Sequence, residues 1–80
     1  MDMLDDQLSS IFHRVFRRPV QKGNDVSVDD VEEWDSLTHI KLVMELESQF
    51  GMTIGPDEIL ALYSDTRTIR RFVIDRQSGG

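Results

Sequence analysis

Glu33-Trp34-Asp35-Ser36-Leu37-Thr38-His39-Ile40-Lys41-Leu42-Val43-Met44-Glu45-Leu46-Glu47-Ser48-Gln49-Phe50-Gly51 carries the strongest helical pattern of the chain. Its first residues close an acidic segment and the rest form an amphipathic one. At a helical period Leu42, Val43, Leu46 and Phe50 share one face, with His39 among them. The spacing predicts a helix from about Ser36 to Phe50, with Gly51 as the residue just past its end. Leu37, Ile40 and Met44 form a second apolar stripe on a different side. Lys41, Glu45, Ser48 and Gln49 fill the polar wedge. One stripe suffices to bury a helix in a small bundle, so the second calls for a neighbouring helix, a ligand or a protein partner. The triplet Asp35-Ser36-Leu37 puts a serine hydroxyl at the helix start. Serine and aspartate are both ordinary N-caps. If Asp35 is the cap, Ser36 is the first helical residue and its hydroxyl projects into solvent. The triplet alone leaves both roles open for Ser36, cap or attachment point.

Upstream, Leu4, Leu8, Ile11, Phe12, Val15 and Phe16 recur with helical spacing. Asp2, Asp5 and Asp6 at the start of that segment, and His13, Arg14, Arg17 and Arg18 at its end, complement a helix dipole, and Arg14, Arg17 and Arg18 read as solvated charges. Pro19 ends it, because the residue before a proline is pushed out of the α region. From Pro19 to Asp35 the sequence reads as loop, with turn chemistry at Gly23-Asn24-Asp25 and three valines, Val26, Val28 and Val31, spaced to tuck onto a core. A loop this long in so small a domain is usually functional or disordered. Its acids, Asp25, Asp29, Asp30, Glu32, Glu33 and Asp35, have no Lys or Arg between Gly23 and Ile40 to neutralise them. They are therefore expected to repel one another and to destabilise the compact state.

Downstream, Met52-Thr53-Ile54 is a short extended link. Gly55-Pro56-Asp57-Glu58 reads as a helix start, with proline at the first position and acids in the first turn. Ile59, Leu60, Leu62 and Tyr63 make that helix short and apolar. Ser64-Asp65-Thr66 is turn and cap material, and Ile69, Phe72 and Val73, extended by Arg76, carry a last helix. No stretch has the alternation of a strand. The expected fold is all-α: a small four-helix bundle with three longer helices and one short third helix, and a long loop between helices 1 and 2. Residues 1–80 are expected to form one domain, with about 77–80 a frayed tail.

Bulk properties narrow the function. The net charge is −6, from 9 Lys and Arg against 15 Asp and Glu. This disfavours nucleic acid and anionic membrane surfaces, which need a basic patch, and favours partners with basic docking patches. With no cysteine there is no disulfide framework, thiolate nucleophile or Cys-based metal site. A small domain without such staples fits a cytoplasmic location. No apolar run approaches the ~20 residues that span a bilayer, and the acidic start Met1-Asp2-Met3-Leu4-Asp5-Asp6 does not read as a signal peptide. The core of a chain this size supports a net stability of only roughly 3–5 kcal/mol.

The run Trp34 to Glu47, followed by Phe50-Gly51, strongly resembles acyl carrier proteins, whose signature is Asp-Ser-Leu followed by an apolar second helix and a short third helix. The resemblance covers nearly the whole chain. It implies that Ser36, flanked by Asp35 and Leu37, accepts a 4′-phosphopantetheine arm from coenzyme A, whose thiol carries acyl groups as thioesters. It implies a non-enzymatic shuttle, a monomer, served by a phosphopantetheinyl transferase and by acyl-loading, synthase or acyltransferase enzymes. Leu37, Ile40, Met44, Glu45 and Glu47 are the expected partner-docking residues. Val43, Leu46, Ile54, Ile59 and Leu62 are the expected lining of a cleft for an acyl chain. A peptidyl or aminoacyl carrier would share the arm and differ only in the loaded group, and an unmodified helical interaction module would use Ser36 as a cap alone. Trp34, His39 and Lys41 depart from the pattern of fatty-acid synthesis and point to a specialised carrier.

Other motifs carry less. His39 lies three residues after Ser36, but there is no Gly-x-Ser-x-Gly elbow and no strand before the serine, so a structural histidine is expected rather than a hydrolase. The loop acids lack the spacing and closing glutamate of a calcium-binding loop, and no metal site is expected.

Overall fold

The computed structural model describes residues 3–20 and 23–78. Four helices follow one another: α1 (Met3–Phe16), α2 (Ser36–Phe50), α3 (Pro56–Leu62) and α4 (Thr66–Ser78). No strand occurs among the described residues; one isolated antiparallel bridge pairs Ser27 with Asp65. The architecture is the expected all-α bundle with a short third helix. Gln77 and Ser78 continue α4, and the Gln77 side-chain amide donates to the Phe50 carbonyl, which gives this end of the helix a tertiary anchor. Gly79 and Gly80 lie outside the described residues.

The helical periods close one core. Leu8, Ile11, Phe12 and Phe16 of α1, Leu42, Val43 and Leu46 of α2, Leu62 of α3, and Ile69 and Val73 of α4 are all buried. Val20, Val31 and Trp34 join them from the connection between α1 and α2, with Val26 and Val28 packed partly against the cluster. That connection is therefore structured by burial rather than by a backbone ladder of its own. α1 ends on Arg17 in the left-handed region, φ +60°, while its N–H still reaches the His13 carbonyl at 2.8 Å. α2 ends on Gly51, φ +61°, a position suited to a residue without a Cβ.

A buried polar cluster fastens the connection down. Arg70, on the inner face of α4, is only 5% exposed. Its guanidinium donates to Asp5 Oδ1 (3.1 Å), Asp25 Oδ1 (3.1 Å), Ser9 Oγ (3.3 Å) and the Val20 carbonyl (3.3 Å). It also lies 5.3 Å from the centre of the Phe12 ring. The Thr66 hydroxyl donates to Asp25 and accepts from the Val26 N–H, and the Thr66 N–H returns a bond to the Val26 carbonyl. Val28 N–H bonds to the Ser64 carbonyl at 2.8 Å. One side chain thus ties α1, the connection and α4 together.

Asp5 does more than complement the dipole at the helix start, because it is buried against Arg70; Asp2 lies outside the described residues. The loop acids are not left without cations: Asp25 is held by Arg70 and Glu33 by Arg18 (3.3 Å), while Asp30 closes a turn by accepting from the Ser27 N–H and hydroxyl. The neutralising groups come from distant positions, beyond the reach of a local charge count. Removing one partner of a buried pair leaves an uncompensated charge. Arg70→Met should therefore cost ~3–5 kcal/mol, close to the whole stability of the domain. Arg70→Met combined with Asp5→Leu should recover much of that loss in urea or thermal melts.

Candidate functional site

The start of α2 is built by the turn before it. Trp34 N–H bonds to the Val31 carbonyl and Asp35 N–H to the Glu33 carbonyl, each at 3.0 Å. This sets Asp35 in an extended conformation, φ −98° and ψ −176°, from which its carboxylate accepts the Thr38 N–H at 2.8 Å. The Asp35 carbonyl takes the His39 N–H, the first bond of the helix. Asp35 is therefore the N-cap, and the Thr38 bonds hold its carboxyl below the ordinary 3.8. Ser36 is the first residue of the helix and is exposed. No hydrogen bond to its hydroxyl occurs among the described residues. The capping role that the sequence left open between the two residues falls to Asp35, and the serine oxygen is free for chemistry at a helix N-terminus, where a phosphate is electrostatically welcome.

Beneath Ser36 lies an aromatic platform. Trp34 is 2% exposed and His39 3%. The Trp34 indole N–H donates to His39 Nδ1 at 3.0 Å, and His39 Nε2 meets the Ile59 carbonyl at 2.6 Å. With Nδ1 accepting and the carbonyl needing a donor, the ring is neutral with its proton on Nε2. Phe16 packs on Trp34 with ring centres 4.7 Å apart, and Tyr63 on His39 at 4.8 Å. The Tyr63 hydroxyl donates to the Trp34 carbonyl at 3.2 Å. Three helices and the connection are thereby referenced to one another around the serine: α1 through Phe16, the connection through Trp34, α2 through His39 and α3 through Ile59. The expectation that His39 is structural holds, since both of its ring nitrogens are occupied away from Ser36.

The remaining predicted site residues divide. Leu37 (65% exposed), Ile40 (44%) and Met44 (62%) leave an apolar stripe on the surface beside Ser36. Leu60 of α3, 74% exposed, is a further apolar residue that the sequence reading assigned only to a short apolar helix. Its position out of phase with Ile59 and Leu62 was the available signal. Glu45 pairs with Arg14 on the surface. Glu47 is turned into the fold, its carboxylate accepting the Ile54 N–H at 2.9 Å. Val43, Leu46, Ile54 and Leu62 are packed in the core with Ile59 against them. The large open groove of this structure, about 740 Å³, lies instead between α1 and α2, where Arg14, Val15, Arg17, Lys41 and Met44 are among its walls. No group of metal-binding side chains occurs among the described residues, and none of their helices is long and apolar enough to cross a membrane.

Burial pushes the His39 imidazole below its ordinary 6.5, and the bond to Ile59 opposes this in part. The folded ring resists a proton that the unfolded chain accepts below pH 6.5. Stability is thus fully present above that pH and declines as pH falls through it. Melting temperature should fall as pH drops below about 6.5, and His39→Gln should flatten that slope while lowering stability overall.

The geometry is that of an exposed serine without a capping duty, set at a helix start beside a buried aromatic cluster. The family model described as the phosphopantetheine attachment site matches residues 6–73, from α1 into α4. No curated protein and no solved structure matches the chain. A match over so much of the chain means that it belongs to the phosphopantetheine-attachment family of carrier domains, whose members bear a 4′-phosphopantetheine group.

Proposed function

We propose that Ser36 is the attachment residue and that the protein is an acyl carrier, a non-enzymatic shuttle between partner enzymes. The observation that carries this reading is the division of labour at the helix start: Asp35 satisfies the backbone, which leaves the exposed Ser36 hydroxyl without a structural duty. When attached, the arm supplies a terminal thiol that holds acyl groups as thioesters. The chain's own contribution is to present the serine oxygen as nucleophile, to hold it on the Trp34–His39 platform, and to offer a docking face. Leu37, Ile40 and Met44 make the apolar part of that face, and Glu45 adds charge at its edge for partners with basic patches. Glu47 is engaged with Ile54 and contributes to the fold instead. The partners are a phosphopantetheinyl transferase and loading, synthase or acyltransferase enzymes. We place this activity in the cytoplasm, with residues 1–80 acting as a single monomeric domain. An aminoacyl or peptidyl carrier would use the same serine, arm and face with a different loaded group.

Incubation with coenzyme A and a broad-specificity phosphopantetheinyl transferase should add the mass of one phosphopantetheine group. Ser36→Ala should abolish the gain with stability changed by no more than about 0.5 kcal/mol. Asp35→Ala should instead lower the melting temperature, since it removes the cap. An unchanged wild-type mass with several transferases would reject the reading.

Docking is tested separately. Met44→Glu and Ile40→Glu should slow modification at unchanged melting temperature. Glu47→Lys should cost about 1–2 kcal/mol through the orphaned Ile54 N–H. Modification rates indifferent to Ile40 and Met44 would remove this face from the proposal.

A further inference from the structure

Val43 and Leu46 lie on α2 and Ile59 and Leu62 on α3, so the seam between these helices is a direct route by which a chain tethered at Ser36 could reach them and Ile54. His39 stands at that entrance, one helical turn beyond Ser36. Its Nε2–H crosses the seam to the Ile59 carbonyl, and its other nitrogen is held by the Trp34 indole. The two helices cannot separate there without parting the His39 Nε2–H from the Ile59 carbonyl, a loss that an alkyl chain, having no polar atoms, cannot make good.

α3 is fastened at its other end as well. The link before it is held by the bond from the Ile54 N–H to Glu47. Glu58, in its first turn, accepts the Gly55 N–H and pairs with Arg76 of α4. Arg76 in turn donates to the Thr53 carbonyl. Behind the entrance, the Tyr63 hydroxyl ties the end of α3 to the Trp34 carbonyl. This seven-residue helix is the smallest in the bundle and the natural one to swing aside, yet polar ties hold it to α2, to α4 and to the connection before α2. The apolar side chains behind it already pack against one another, with Val43, Leu46, Ile54 and Leu62 no more than 5% exposed.

We infer that His39 is a specificity-determining residue that keeps the α2–α3 seam shut, so that this protein carries short or polar acyl groups outside the bundle rather than a long alkyl chain within it. The inference rests on the carrier reading of Ser36. A short or polar group gains little from burial and loses nothing by remaining in water, whereas a long alkyl chain would stay exposed.

The test loads the protein with acetyl- and decanoyl-pantetheine from the corresponding coenzyme A thioesters, using a broad-specificity transferase, with loading checked by intact mass. Two readouts follow: the melting temperature, and the rate at which hydroxylamine cleaves the thioester. In the wild type the two loaded forms should melt together, and their cleavage rates should agree within about twofold. Decanoyl-specific stabilisation or protection in the wild type would overturn the inference. His39→Ala should create that chain-length dependence, and Trp34→Phe, which keeps an aromatic ring and removes the indole donor, should create it more weakly. If neither variant differs from the wild type, His39 is not the barrier and the inference fails. A wild-type mass unchanged with both thioesters would overturn the carrier reading itself, and this inference with it.

Discussion

The Arg70 guanidinium is the constraint on which the arrangement depends. It is buried, and every acceptor it finds lies far away in sequence: Asp5 and Ser9 on α1, Val20 and Asp25 on the connection. A charge taken out of water demands partners with good geometry. Meeting that demand fixes where the connection begins its path across the bundle. The Asp25–Thr66 and Val26–Thr66 bonds then lay it along the start of α4, so that Val31 and Trp34 arrive over the core. The orientation of the Asp35 cap, and with it the position of Ser36, follows from a cluster on the far side of the connection.

Trp34 and His39 convert that position into a rigid one. A serine at a helix start needs only a cap to be structurally sound, and Asp35 supplies it. As the attachment residue proposed above, Ser36 also needs a fixed direction. The indole–imidazole–carbonyl chain from Trp34 through His39 to Ile59 gives it one, because it joins the turn before the serine, the first turns of α2 and the short helix α3. The same chain removes His39 from consideration as a base for Ser36. One nitrogen accepts from Trp34, and the other carries its proton to Ile59.

The surface beside the site has the opposite character. Leu37, Ile40 and Met44 face solvent within two turns of a buried platform, and Leu60 extends the apolar exposure onto α3. Exposed apolar side chains grouped beside Ser36 are costly to solubility and make sense as a surface that is covered intermittently. The acids around them are less free than their number indicates, since Glu33, Glu45 and Glu58 are paired with arginines and Glu47 is bonded to backbone.

The helices were legible in the order of residues because helical periodicity, Pro19, Pro56 and Gly51 act over a few neighbouring positions. So was the Asp35-Ser36-Leu37 start, a matter of capping within one turn. The exposed stripe of α2 could be read as surplus to what a small bundle buries. Local order carried no sign of Arg70, which on a helix reads as a solvated cation, nor of the burial of Asp5, which reads as a dipole complement. It left the loop acids without cations, because Arg70 and Arg18 stand many residues away. It showed His39 to be structural by the lack of catalytic context, without showing what it holds. Sequence by itself determined the elements, their ends and the serine that begins α2, all products of short-range physics. Only the tertiary structure decided which charges are buried, how the connection is pinned and that the α2–α3 seam is bridged, because burial and distant hydrogen-bond partners exist only once the chain has closed on itself.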